Sequence, residues 1–265
     1  MEKISVILPV ASTKQKNFDE FFTKSIKSVQ QQESPIDELV LVHTDDTKLC
    51  DYLKSFDFSG LTVSKILNEG DSDFASQVNL GVKSSRNEFV SILEFDDEYS
   101  NIWFKNVQKY IKSYPDVEGF LSLVVDVDDK GVFAGFTNEA TFAANMNTNI
   151  GYLTNEVLMN YQNFQTSGMV FRKSLFEKFG GFKKNIKLSF VYELLLRLTY
   201  NSVKMMTIPR IGYKHMNLRE GSIFWNYRNG SHSLTPDEAR FWLDAAKKEH
   251  FFTEDREIKY EVEVD

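Results

Sequence analysis

Phe89-Val90-Ser91-Ile92-Leu93 is a short β-rich apolar run that passes directly into Glu94-Phe95-Asp96-Asp97-Glu98. A run without polar alternation marks a strand buried on both faces, as at the centre of a parallel sheet. Ligands of open α/β sheets lie beyond the carboxyl ends of such strands. Carboxylates delivered there can hold a divalent cation, and the cation can bridge a diphosphate. A solvated strand end explains the same residues. Acid-x-acid triples are also common: 38 acidic residues among 265 yield about five by chance. Of the rivals, Asp71-Ser72-Asp73 follows a turn, and Asp126-Val127-Asp128-Asp129 leads into Lys130-Gly131, which reads as a hairpin turn.

Working outward, Ile4 to Val10 has the pattern of a first buried strand. Phe18, Phe22, Ile26 and Val29 recur at helical spacing, and Glu38 to Val42 forms a second strand with Asp45 and Asp46 beyond its end. A short helix around Leu49 to Lys54, a strand over Leu61 to Leu67 and a turn at Asn68-Glu69-Gly70 follow. Phe74, Val78 and Val82 mark a helix before the Phe89 strand, and Trp103, Val107, Tyr110 and Ile111 mark one after it. Strand and helix alternating at these intervals predict a mostly parallel, Rossmann-like sheet with right-handed crossovers.

The second half is less regular. Gly119 to Val127 and Val132 to Phe136 read as a hairpin, residues 137 to 165 as a loop or lid, and Ser174 to Phe179 and Phe190 to Tyr200 as helices. Val203 to Ile208 reads as a last strand stopped by Pro209. Thr235-Pro236-Asp237-Glu238 is a helix start with a capping residue and a proline at the first position, followed by Phe241, Trp242 and Ala245 on one face. The expected organisation is one domain over 1–225, divided into a nucleotide-binding half (1–115) and an acceptor-side half (116–225), with a C-terminal helical extension over 226–265.

Composition narrows the classes of function. Hydrophobic residues make up 42% and charged residues 26%, enough for a packed core. A formal net charge of −7 without a basic run disfavours nucleic acid as a partner. The single cysteine, Cys50, excludes an intrachain disulfide and a cysteine-based metal cluster. No apolar run reaches the roughly 18 residues that cross a bilayer. No secretory leader is legible either, so a cytoplasmic location is expected.

Read together, the flanking residues carry more than the acidic cluster does alone. Asn68-Glu69-Gly70, Ala75, Asn79-Leu80-Gly81, Arg86-Asn87-Glu88-Phe89-Val90 and Leu93-Glu94-Phe95-Asp96-Asp97 follow in order. The set resembles glycosyltransferase family 2, with its Asn-x-Gly turn, small-residue helix, short polar link, buried strand and DxD motif. Ile4 to Val10 looks like that family's first strand, and Ser25-Ile26 with Ser28-Val29 and Gln31 like its first helix. Gly168 to Arg172, Phe176 to Phe182, Glu193 to Leu198, and Tyr213-Lys214-His215 with Ser222 are similar to its acceptor-side segments. The similarity covers roughly residues 1 to 225.

The resemblance implies a GT-A fold and an enzyme that moves a sugar, with inversion, from a nucleotide-diphosphate sugar to an acceptor hydroxyl on a glycan or other molecule. A UDP-sugar is the favoured donor and Mn²⁺ or Mg²⁺ the expected metal. It implies donor contacts from Pro9 and Val10, from Asp45 or Asp46, from Asn68 and Gly70, and from Glu94 and Asp97. Asp96 would be the main metal ligand, with Asp97 and His215 beside it. Three departures stand out: Glu94 replaces the usual Asp, His43-Thr44 intervene before Asp45-Asp46, and Phe190-Val191 replace the acidic pair before the catalytic helix. Glu193 is the carboxylate left in that segment and the expected base, or else an i,i+4 partner of Arg197. His215 has a bland alternative as a surface histidine.

Two other functions compete. A GT-A-like binding or scaffold protein without a base fits Val191. A nucleotidyltransferase would want a glycine-rich basic loop after the first strand, and Ala11 to Lys16 contains no glycine. Phe224, Trp225 and Tyr227 suit packing or a sugar-stacking platform, and the oligomeric state is open.

Overall fold

The computed structural model describes residues 1–139, 151–217, 219–230 and 233–260. Ten strands form one sheet, β1 (Ile4–Val10), β2 (Glu38–His43), β3 (Val63–Leu67), β4 (Phe89–Ile92), β5 (Glu98–Tyr99), β6 (Gly119–Val127), β7 (Phe133–Thr137), β8 (Tyr152–Leu153), β9 (Val170–Arg172) and β10 (Met205–Met216). The order across the sheet is β3-β2-β1-β4-β9-β6-β10-β5, with β7 also on β6 and β8 also on β10. β3, β2, β1 and β4 run parallel, as do β6 and β10, while β9 is antiparallel to both β4 and β6 and joins the two parallel blocks.

Nine helices are described: α1 (Phe18–Gln30), α2 (Thr47–Ser55), α3 (Phe74–Ser84), α4 (Trp103–Ser113), α5 (Asn155–Asn160), α6 (Ser174–Phe179), α7 (Phe190–Tyr200), α8 (Ile223–Asn229) and α9 (Pro236–Glu249). Period-two alternation in the strands divides the core between the two faces. Ile4, Val6, Leu8 and Val10 of β1, with Leu39 and Leu41 of β2, pack under α1, α2 and α4. Ile7, Val40 and Val42 face the other way and pack under α3, α7 and α9. Helix α3 lies close on this face because Gly81 has no side chain. A Cβ there would sit 2.4 Å from Ile7 Cγ2 and 2.9 Å from Val42 Cγ2.

Helix α9 packs in the same core. Trp242, Ala245 and Ala246 are buried among Leu194, Leu195 and Leu198 of α7, and Thr235 Oγ1 accepts from the Glu238 amide at 3.1 Å to cap the helix. The C-terminal helix therefore docks on its own chain. Lys183, itself buried, donates to the Glu249 carbonyl at 2.7 Å and to the Phe252 carbonyl at 2.8 Å, which ties the segment after α9 to the domain.

Two readings of the second half are corrected. The strand expected to stop at Pro209 continues to Met216. Register shifts between Ile208 and Ile211, and between Ile211 and Tyr213, place Pro209 in an exposed irregularity where its missing N–H costs no ladder bond. This continuation carries the chain to His215. The loop expected over 137–165 contains β8 and α5, and Phe164 is buried; residues 140–150 lie outside those described. Two-residue strands and a six-residue helix are too short to show a period.

Candidate functional site

Parallel pairing brings the carboxyl ends of β1, β2, β3 and β4 to one edge of the sheet. Pro9 and Val10 end β1 there, with Val10 beside His43 of β2. The Thr44 hydroxyl donates to the Ala11 carbonyl at 2.8 Å and joins the loops after β1 and β2. Asp46 caps α2, accepting from the Leu49 amide at 2.9 Å, so that carboxylate is already engaged, whereas Asp45 is exposed. Asn68 closes a turn beyond β3: its Oδ1 accepts from the Gly70 amide at 3.0 Å and its Nδ2 donates to the Asp71 carbonyl at 2.8 Å.

The acidic segment follows β4, and a buried polar frame holds it. The Glu94 amide donates to the Tyr213 hydroxyl at 3.0 Å, and the Ser25 hydroxyl donates to the Glu94 carbonyl at 3.2 Å. Ser167 Oγ donates to Glu94 Oε1 at 3.0 Å. Gly168, next in the chain, has φ +69°, and a Cβ there would lie 2.4 Å from the Tyr213 ring, so only glycine fits between these two braces. Trp103 Nε1 fixes the Gly168 carbonyl at 2.9 Å.

The three carboxylates of the cluster have different partners. Asp97 is buried and accepts from the Met216 amide at 2.7 Å and from His215 Nδ1 at 3.0 Å. Asp96 turns to Arg219, whose Nε donates to Asp96 Oδ2 at 2.6 Å. Ligand atoms of Glu94, Asp97 and His215 lie within 4.8 Å of one another, an arrangement suited to a divalent cation. The expected set was Asp96, Asp97 and His215; the atoms that converge belong to Glu94, Asp97 and His215. Asp126, beside His215 in the β6–β10 register, accepts from Thr137 Oγ1 at 2.6 Å.

Burial and mutual repulsion set the protonation of the cluster. Burial, reinforced by the Asp97 charge, pushes Glu94 up to about 8. Asp96 is also raised, first by burial and then by Asp97, with Arg219 opposing. Burial alone would lower His215, but the charge and hydrogen bond of Asp97, with Glu94 and Asp126, outweigh it and raise the imidazole to about 10. The ordinary values are 4.5 for Glu94 and 6.5 for His215, so both bind protons more tightly folded than unfolded. Their stabilising contribution is complete below the unfolded value and is lost as pH rises through the folded one. In chelator-treated protein, the melting temperature is expected to fall as pH rises from about 6.5 to about 10. His215→Gln should flatten that slope, and a flat wild-type profile would contradict these shifts.

Glu193 lies elsewhere. Its side chain is fully buried in α7, with Oε1 taking Lys183 Nζ at 3.0 Å and Arg197 Nε at 3.0 Å, and Oε2 taking Arg197 Nη2 at 2.9 Å. A base must reach the acceptor hydroxyl, and a carboxylate enclosed by two cations reaches none. The i,i+4 pairing with Arg197 is the observed arrangement, which corrects the catalytic expectation for this residue. Arg197 extends the network to the carbonyls of Phe179, Gly180 and Gly181. Helix α8, with Phe224, Trp225 and Tyr227, buries none of its residues.

Sequence reasoning missed Arg219, Ser167, the Tyr213 hydroxyl and the Met216 amide. Tyr213 and His215 were singled out as a segment, but partners so distant in the chain become neighbours through the β5–β10 and β6–β10 pairings and the close approach at Gly168. Arg219 sits in a polar stretch with no period, and no local signal marks it.

No protein-family model matches the chain, and no curated protein matches it in sequence. Its fold matches solved structures of TarS from S. aureus. Against TarS 1–349 in complex with UDP-GlcNAc, the TM-score is 0.66 at 17% identity, covering 92% of this chain and 65% of that one. Against the same fragment in complex with UDP, the TM-score is 0.59 at 16% identity, covering 94% and 72%. Against a TarS structure not limited to that fragment, the TM-score is 0.52 at 16% identity, covering 94% of this chain and 43% of that one. At such identities the likeness establishes the fold, the GT-A architecture expected from the sequence.

Proposed function

We propose that this protein is a glycosyltransferase that binds a nucleotide-diphosphate sugar at the carboxyl edge of β1 to β4 and transfers the sugar to a hydroxyl-bearing acceptor. The observation that carries this reading is the convergence of Glu94, Asp97 and His215 at that edge. It is supported by a fold shared with a protein crystallised with UDP-GlcNAc and with UDP. UDP is the favoured nucleotide and displacement with inversion the favoured course. Pro9, Val10 and Asp45 border the space for the base and ribose, while Asn68 and Gly70 shape its β3 side.

Glu94, Asp97 and His215 would hold Mn²⁺ or Mg²⁺, which supplies positive charge to a departing diphosphate. The protein's own part is to fix those ligands. Tyr213 and Ser167 hold Glu94, and the Met216 amide and His215 hold Asp97. Proton removal from the acceptor needs a group other than Glu193. Helix α7 begins Phe190-Val191, with Glu193 the acidic residue of its first turn. That observation favours a second reading, a GT-A protein that binds donor without turning it over.

Slow donor turnover separates the two. Incubation with UDP-sugars and Mn²⁺, followed by NMR for released nucleoside diphosphate, is expected to show release above the protein-free rate. Donor binding without release would establish the second reading instead.

A further inference from the structure

The Asp96–Arg219 pair has no place in the reading above. Both side chains are almost fully enclosed, with 8% and 6% of their surfaces exposed, and the bond between them is 2.6 Å. The Arg219 guanidinium also lies over the Phe95 ring at 5.1 Å, and its Nη1 donates to the Glu220 carbonyl at 3.0 Å. Asp96 is therefore neutralised by a cation of its own chain. Its neighbour Asp97 has both oxygens engaged, by His215 and the Met216 amide. A divalent ion arriving at this cluster finds the Asp96 oxygen Oδ2 occupied by Arg219 Nε.

We propose that Arg219 is a built-in cation that holds Asp96 Oδ2 and competes with a divalent ion for this carboxylate, so that full engagement of Asp96 by the ion displaces the guanidinium. This role for Arg219 presupposes that the acidic site takes a divalent cation, but not what the protein does with a sugar. Displacement is local. Gly221, two residues on, adopts φ +84° with open space around it, and the helix that follows buries none of its residues. Arg219 thus fastens a lightly packed segment to the acidic cluster, and swinging it out disturbs little core. Removing its charge leaves Asp96 beside Asp97 and Glu94 with one cation fewer, which raises the attraction for a divalent ion.

Mn²⁺ binding, read by the loss of the free-ion electron paramagnetic resonance signal without nucleotide, tests this directly. Arg219→Gln is expected to bind Mn²⁺ at least tenfold more tightly than wild type. Arg219→Lys, which keeps the charge but loses the fixed Nε geometry, is expected to fall between them. Adding Asp96→Asn to Arg219→Gln should cancel the gain. Circular dichroism and melting curves establish that each variant is folded, and any that is not is replaced by Arg219→Met. Equal or weaker Mn²⁺ binding in folded Arg219→Gln, including no binding at all, overturns the proposal. A tighter Arg219→Gln that keeps its gain with Asn at 96 also overturns it. Donor binding is measured separately, so failure here leaves the functional reading to its own test.

Discussion

Glu193→Ala is expected to lower stability by about 3–5 kcal/mol, the range for stripping one partner from a buried ion pair. The residue is enclosed in α7 and forms ion pairs with both Lys183 and Arg197, which are also buried. Its loss leaves two cations in the core with only carbonyl partners. For a chain of this length, that corresponds to a melting temperature lower by roughly 10 °C. Arg197 also holds the carbonyls of Phe179, Gly180 and Gly181, and Lys183 those of Glu249 and Phe252, so the damage should spread to the segment after α9. Glu193→Gln, which keeps the shape but not the charge, should fall between. Urea unfolding reads the effect. Wild-type stability combined with lost turnover would instead restore Glu193 as the base.

Asp97→Asn is expected to weaken Mn²⁺ and donor binding by 10- to 100-fold while leaving the fold intact. An asparagine can still accept from the Met216 amide, now 2.7 Å from Asp97 Oδ1, so the strand end keeps its anchor. What it cannot supply is the negative charge that faces His215. The imidazole, held at about 10 chiefly by Asp97, should drop toward its ordinary 6.5. Binding isotherms report the first effect and an NMR titration of the His215 ring reports the second. An unchanged histidine titration would mean that Asp97 is not its controlling partner. Unchanged donor affinity would move the site away from this cluster.

Much of the first half of the chain, residues 1–115, was legible because its signals are local. The Phe89 strand and the spacing of α1 and α3 are each written within a few residues, and each follows from strand or helix period. Gly81 in the Asn79-Leu80-Gly81 segment likewise belongs to the close packing of α3 on β1. What stayed hidden depends on contacts between distant residues. Pro9 and Asp46 sit at the expected strand ends, but Asp46 is engaged by its own helix, which no spacing rule weighs against ligand binding. Glu193 offered two readings at the level of sequence, and burial beside Lys183 decided between them. The site was half legible: Glu94, Asp97 and His215 were marked and do converge, whereas the turn of Asp96 toward Arg219 follows from the path of the chain beyond β10.

The central claim is that the carboxyl edge of this sheet holds a nucleotide-diphosphate sugar. Isothermal titration of the full chain with UDP-, GDP- and dTDP-sugars, each with and without Mn²⁺, tests it most directly. The account predicts saturable binding of one nucleotide class, UDP first, strengthened by Mn²⁺ and reduced in Asp97→Asn. No heat of binding from any donor under either condition would contradict it and leave the fold without this ligand.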